Sequence, residues 1–598
     1  MIRRAFSFLL LVIGAWPLGA QPVVPESELA QPPTPARLAA IRAAAQRDGW
    51  APQIAVVRAA AVRAYQLDKL AAAEAWLNAY RWVALFGEKE SEFVPAWIKA
   101  VNTARVGHSN MPTRFASRDQ ALGLALEPDL QAWLLGNAPF GVEFFSVLSP
   151  LDYVPNVFQI LNELHHRDPA RFQAYANLAL AIAVVYDVPP PPDWPHGQVT
   201  AEALPRRFPS APDAFAWWTH EDQIGRTYHR LARLGADELK FVVDTAAPLG
   251  ELEWAGKISD YPLSQLARAY TMVRYRNDRL ANNNPVWPGR TYKLPEILAA
   301  GGICVDQAYF ATEVGKARGV PTLFFHGAGN DGRHAWFGFL DSNDKWQLDA
   351  GRYAEQRFVT GFARDPQTWR ELSDHELQFL SEHFRALPSF QQSRVHAEFA
   401  ADFLAKGEFD AAALAARKAV NFERRNQPAW EILLDAGQKS GVGPKKLEDV
   451  MHEAALAFQR YPDLEATYIN RVVASLRARG QTSEADAEAR HIANKNRDGG
   501  RTDLAVSQAR DLVLRAISTQ PLPAQVQTYN RAVDTYGPGA GIGFLDEVVR
   551  PFVEHLMQLQ QPAEAMRALE RAHHTLKVEP NSQLALELSE LEKAVRAK

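Results

Sequence analysis

The apolar pattern of this chain changes period in one place, and that change limits what the chain can fold into. From about residue 21 to 250, and again from about 376 onward, apolar residues recur at helical spacing. The Ala-rich stretch 54–86 is the clearest case, with neither Gly nor Pro in it. Between about residues 290 and 355 the pattern shortens. Residues 294–300 form a short apolar segment ending at Gly301-Gly302. Residues 304–318 then fit a helix, with Gly319 as its C-terminal cap and Pro321 just beyond. Three β-rich runs follow at 322–326, 334–340 and 345–349, separated by polar turn residues. A helix leading into antiparallel strands predicts a compact α+β core of about 110 to 130 residues between helical domains.

The ends and the cysteine count narrow the setting. Arg3 and Arg4 precede an apolar run from Phe6 to Trp16, and Leu18-Gly19-Ala20 offers small residues before Gln21. That order is the one used by a secretory signal peptide, so residues 1–20 are expected to be removed and the protein to be periplasmic or secreted. Losing Arg3 and Arg4 would take the formal charge from −4 to −6. No later stretch has the length and apolarity of a membrane span, so no stable membrane insertion is expected after cleavage. No run of Lys and Arg is long enough to follow a phosphate backbone, which argues against nucleic acid as a partner. Cys304 is the only cysteine, so no intrachain disulfide can form. A lone thiol outside the cytoplasm risks oxidation and asks for a chemical reason, although a buried Cys can also serve as a small hydrophobe.

Cys304 follows Gly301-Gly302-Ile303 at the start of the expected helix. Unpaired N–H groups and the positive end of the helix dipole would favour thiolate there and could also hold an oxyanion. A base is available downstream. His334 opens His334-Ala335-Trp336-Phe337-Gly338-Phe339-Leu340, and Lys345-Trp346-Gln347-Leu348-Asp349 follows the turn 341–344. A two-residue or four-residue loop gives a hairpin in which Asp349 lies opposite Trp336 and diagonal to His334, about 7–8 Å away between backbones. An odd loop would put the pair on opposite faces.

Taken together, Gly302-Ile303-Cys304 with Ala308, Arg318-Gly319-Val320-Pro321, His334-Ala335-Trp336 and Trp346-Gln347-Leu348-Asp349 resemble the transglutaminase-like core in motif and order. The resemblance covers about residues 290 to 355. It implies a papain-like arrangement with Cys304 as nucleophile, His334 as general base and acid, and Asp349 as the residue that orients the imidazole. It implies acyl transfer from a peptide bond or glutamine carboxamide through a Cys thioester. Water as acceptor gives an amidase or peptidase; an amine gives a transglutaminase. The family's oxyanion-hole Trp has no clear counterpart, Trp287 and Tyr292 being nearest in sequence. No acidic loop has a calcium-ligand pattern, and no cofactor or metal is expected.

The implied fold class is multidomain α and α+β. Residues 21–250 form a helical N-terminal domain, 251–375 the catalytic domain and 376–598 a helical repeat domain. Within the last, Ala400, Phe403, Gly407, Phe409, Ala412 and Ala419 resemble the small-and-large pattern of a tetratricopeptide repeat. Leu556, Ala565, Ala572 and Pro580 give a weaker echo. Stacked as an α-solenoid, such repeats could hold a protein partner beside the peptide or protein substrate. The competing reading is a non-catalytic scaffold with a relic core.

Other motifs read more plainly. His326 could replace His334 as base, but it ends a different strand. Asp341 and Asp344 suit a turn, and Asp306 and Gln307 a first helical turn or a pocket wall. Gly327, Gly329 and Gly332 precede a strand rather than a helix, which disfavours a dinucleotide fingerprint. Residues 537–543 read as a loop. His165-His166 and His573-His574 lack metal-ligand spacing. Trp217-Trp218 suits core packing better than a carbohydrate platform. Pro189 to Pro192 with Asp193-Trp194-Pro195 reads as an extended linker.

Overall fold

The computed structural model describes residues 24–104, 119–281, 284–329, 332–352 and 360–597. The segment read as a signal peptide lies outside them. The described chain is mostly helical, with one small antiparallel sheet. No helix among the described residues is long and apolar enough to cross a membrane.

The chain divides into two compact units. One takes residues up to Lys89 with Ala121–Leu124 and Pro128–Gly141; the other takes Glu90–Gln120, Ala125–Glu127 and Val142–Lys598. In the first, the stretch read as helical becomes a helical hairpin, Ala51–Gln66 and Leu70–Gly87. Asp68, at φ 58°, turns the chain between them. Trp76, Trp82, Val83 and Phe86 are buried along the second helix. The boundaries expected near 250 and 375 both fall inside the second unit.

The second unit is built around the helix Cys304–Ala317, every residue of which from Val305 onward is buried. A five-stranded sheet lies against it through β1 and β2: β1 Thr322–Ala328, β2 Arg333–Leu340, β3 Trp346–Ala350, β4 Phe362–Arg364 and β5 Glu371–Ser373. Their order is β3-β2-β1-β4-β5, with antiparallel pairing throughout. The last two strands are too short to leave a sequence pattern. The helix ends as expected. Gly319 takes φ 64°, and the N–H of Val320 returns to the Gly315 carbonyl at 3.0 Å.

C-terminal to the sheet the chain forms helical hairpins. Pro388–Ala405 and Phe409–Phe422 pair through a turn at Gly407, whose φ is 76°. Ala400, Phe403, Ala412 and Ala419 form their buried seam. Arg550–Gln558 and Pro562–Leu576 repeat the arrangement, burying Leu556, Ala565 and Ala572.

Candidate functional site

Cys304 begins its helix abruptly because the preceding backbone is held. The N–H of Gly302 donates to the Arg274 carbonyl, and the N–H of Arg276 donates to the Gly302 carbonyl, each at 2.9 Å. Gly301 sits at φ 76°, where a Cβ would come within 2.5 Å of the Arg274 carbonyl oxygen, so a side chain is excluded there. One turn on, the Asp306 carboxylate accepts the Ile303 N–H at 2.8 Å, the Tyr292 hydroxyl at 2.7 Å and Arg279 at 2.5 Å. Asp306 therefore braces the helix start. Gln307 is likewise committed, donating to the Val273 carbonyl at 2.7 Å.

Burial pushes the Cys304 thiol above its ordinary range. The N–H groups of Ala335, on β2, and Val305 pull it down without overcoming that effect, and the Asp306 carboxylate adds to the rise. This corrects the expectation of a poised thiolate. The helix terminus is present, but desolvation outweighs it.

His334 precedes Ala335 on β2. Its Nε2 lies 2.8 Å from the Gly351 carbonyl oxygen and 3.4 Å from the Tyr270 hydroxyl, which donates to the Ala335 carbonyl at 2.8 Å. A carbonyl oxygen only accepts, so Nε2 carries the proton and Nδ1 is the basic nitrogen of the neutral ring. Gly351 delivers this carbonyl at φ 92°, against the Tyr270 ring; a Cβ there would lie 2.5 Å from that ring.

Asp349 does not join His334. Its side chain is 65% exposed and pairs with Arg352 at 2.7 Å. The reason is the register. Asp341 and Lys345 close a three-residue loop, with Asp344 at φ 55°, and Leu340 pairs with Trp346. A bulge between Phe337 and Phe339 then brings Ala350 opposite Phe337. Asp349 falls in the bulged stretch, where it is exposed, and the chain runs on so that the Gly351 carbonyl meets the imidazole.

Cys304, His334 and Ala335 line a cavity of about 570 Å³. Asp193, Trp194 and Pro195, the end of the stretch read in sequence as a linker, form another part of its wall together with His196, Gly197 and Gln198. Gln198 has a buried side-chain oxygen with no hydrogen-bond partner among the described residues. His326 also lines the cavity, close to Phe362. Trp287 and Tyr292 do not line it. Trp287 donates to the Thr291 carbonyl at 2.8 Å, and Tyr292 is held by Asp306 and His196.

A third contribution was invisible in the sequence. Ser507, Arg510, Gly543, Asp546 and Glu547, from the helical C-terminal part, line the same cavity. Arg333, beside His334, fastens them by pairing with Asp546 at 2.5 Å and Glu587 at 2.6 Å. The glycine-rich segment at 537–543 docks on the β1–β2 turn, with the Ile542 N–H 3.3 Å from the Gly329 carbonyl oxygen. Such contacts join residues more than 200 positions apart, which no local pattern signals.

The remaining motifs have structural roles. His165 packs edge-on against Phe172, and His166 lies 2.9 Å from Glu127. Trp218 is fully buried against Trp217. Among the described residues no group of His, Cys, Asp and Glu could hold a metal ion. Comparison with family models, with curated proteins and with solved structures finds no match.

Proposed function

We propose that this protein is a thiol-dependent acyl-transfer enzyme of transglutaminase-like, papain-like type, exported by its first 20 residues and acting on peptide bonds or glutamine carboxamides. One observation carries the reading. The thiol of Cys304 and the imidazole of His334 line a single cavity, with the ring tautomer fixed by the Gly351 carbonyl.

The resting thiol is protonated, so His334 Nδ1 takes its proton as sulfur attacks the carbonyl carbon. The negative charge then develops on the carbonyl oxygen. Donors available to it are backbone N–H groups at the helix start and the amide of Gln198. As the C–N bond breaks, the imidazolium returns its proton to the departing amine and leaves a Cys304 thioester. Water or a second amine, deprotonated by His334, completes the transfer. The Gly351 carbonyl supports the imidazolium less strongly than a carboxylate would, because it carries no full charge.

The outward turn of Asp349 favours a second reading, a helical-repeat scaffold whose core no longer catalyses. Two measurements separate them. Incubation with glutamine-containing peptides, with and without an added amine, is expected to yield ammonia or an amine-linked product. Cys304→Ala abolishes that yield, and His334→Ala lowers it by about 10²–10⁴-fold. Alkylation by iodoacetamide at pH 7 is expected to run slower than for a model thiol of pKa about 8.5, and to rise only above that pH. Absence of turnover, with alkylation unchanged in His334→Ala, would support the scaffold.

A further inference from the structure

The helix Cys304–Ala317 carries more buried polar groups than its role in presenting the thiol explains. Tyr309, Thr312, Glu313 and Lys316 occupy one stripe of it and line the same cavity as Cys304. Thr312 returns its hydroxyl to the Ala308 carbonyl at 2.8 Å, and Lys316 pairs with Asp244 at 2.5 Å. Glu313 is only partly satisfied. It is 2% exposed, and one carboxyl oxygen accepts the Thr245 hydroxyl at 2.5 Å. The other oxygen has no hydrogen bond, and no ion pair reaches Glu313 among the described residues. Tyr309 is 1% exposed, and its hydroxyl likewise has no hydrogen-bond partner among the described residues.

The geometry points to this end of the cavity as a recognition pocket for a primary ammonium group on the acyl donor, with Glu313 as counter-ion and the Tyr309 hydroxyl as a second acceptor. The name acyl donor rests on the function proposed above; the pocket's chemistry does not. Two carboxyl groups, Asp244 and Glu313, face one ammonium there, so a second cation is electrostatically welcome. Nine residues of helix separate Cys304 from Glu313, about 14 Å along the axis. An extended peptide covers that distance in about four residues. The donor is therefore a peptide whose ammonium lies about four residues from the attacked carbonyl, either its own N-terminus or a lysine side chain.

Burial pushes the Glu313 carboxyl up to about 7. Lys316, on its own helix, and the Thr245 hydroxyl oppose this, while Asp244 and Glu251 reinforce it. Tyr309 and Tyr186 also face it, both kept neutral by burial. A bound ammonium favours the carboxylate, so binding should release a proton below about pH 7 and weaken as pH falls.

The test is titration calorimetry on the full chain carrying Cys304→Ala, so that binding is read without turnover. Three pentapeptides with glutamine at position five serve as probes: one with a free N-terminus, one N-acetylated, and one N-acetylated with lysine at position one. At pH 8 the free or the lysine peptide, whichever supplies the ammonium, is expected to bind at least tenfold tighter than the plain acetylated one. Glu313→Gln should erase that preference, and at pH 5.5 it should shrink below about threefold. If Glu313→Gln does not fold, Tyr309→Phe and the pH arm carry the test, with a several-fold loss of preference expected. Equal binding of all three peptides, no binding of any, or a preference untouched by the variants and by pH would overturn the proposal. Amine-dependent binding without turnover in the unmodified protein would instead sink only the acyl-transfer reading.

Discussion

The two hairpins that share β2 differ in how firmly they are fixed. β1 and β2 pair at seven consecutive positions, from Thr322↔Phe339 to Ala328↔Arg333, without a shift. β2 and β3 pair at Leu340↔Trp346 and Phe339↔Gln347, and the register then slips before Phe337↔Ala350. The cause is burial. β2 is covered along nearly its whole length, whereas β3 is an edge strand whose Gln347 and Asp349 are exposed. A slip in a covered strand moves apolar side chains into water; a slip on the edge costs little. The imidazole's partner is set by the looser hairpin, and for that reason it is a backbone carbonyl.

Damage to the firm hairpin should have the largest effect. Trp336 is fully buried, stacks on Phe325, donates to the Leu348 carbonyl at 2.9 Å and lies 4.1 Å under the Arg352 guanidinium. Trp336→Ala is expected to cost about 3–5 kcal/mol. Hydrogen exchange is the suitable measurement, because a chain with several helical regions need not unfold in one step. Both hairpins should lose protection together, since this side chain packs under both. Loss confined to β3 would show that the two are less coupled than their shared tryptophan suggests.

A smaller effect is expected from the β2–β3 loop. The Asp341 carboxylate accepts the N–H groups of Asn343 and Lys345 at 2.8 and 3.1 Å and the Gln347 amide at 2.8 Å. Burial is the largest single influence and raises its pKa, but these donors and the Lys345 charge together outweigh it, and it lies below the ordinary carboxylate range. A lowered folded pKa gives stability that is present above the unfolded value of about 3.9 and lost as pH falls through the folded one. Asp341→Ala should cost about 1 kcal/mol, and protection of β3 should fall below about pH 4 in the unmodified protein while β1–β2 keeps its own. Equal loss in both hairpins would mean that the loop does not set the register alone.

Much of this was legible in sequence where the signal is local. The helix after Gly301-Gly302, its stop at Gly319, the three principal strands and the helical hairpin around Gly407 all follow from spacing, caps and turn residues. That Cys304 and His334 line one cavity agrees with the motif order. The partner of His334 was not. Whether the loop holds two, three or four residues depends on Asp341 acting as a side-chain cap and on Asp344 taking a positive φ, and both choices are nearly neutral in propensity. Nor could spacing show that Asp193 to Gln198 and Glu547 would line the cavity, because those contacts are fixed by packing of distant segments. The thiol's raised pKa had the same origin. A helix terminus can be read from sequence, but the desolvation that outweighs it cannot.

The smallest effect is predicted for Asp349, and it sharpens the comparison most. Among the described residues its carboxylate meets only Arg352, which keeps a second, buried partner in Asp374 at 2.8 Å and its place over Trp336. An exposed pair of this kind contributes about 0–0.5 kcal/mol. Asp349→Asn should therefore leave stability, iodoacetamide alkylation and peptide turnover within about threefold of the unmodified protein. In a triad whose carboxylate holds the imidazole, the same change lowers turnover by about 10⁴-fold. A loss of a hundredfold or more would mean that the bulged stretch of β3 rearranges when substrate binds and delivers the carboxylate to His334. The edge strand would then be the moving part of the site, and the firm hairpin its fixed reference.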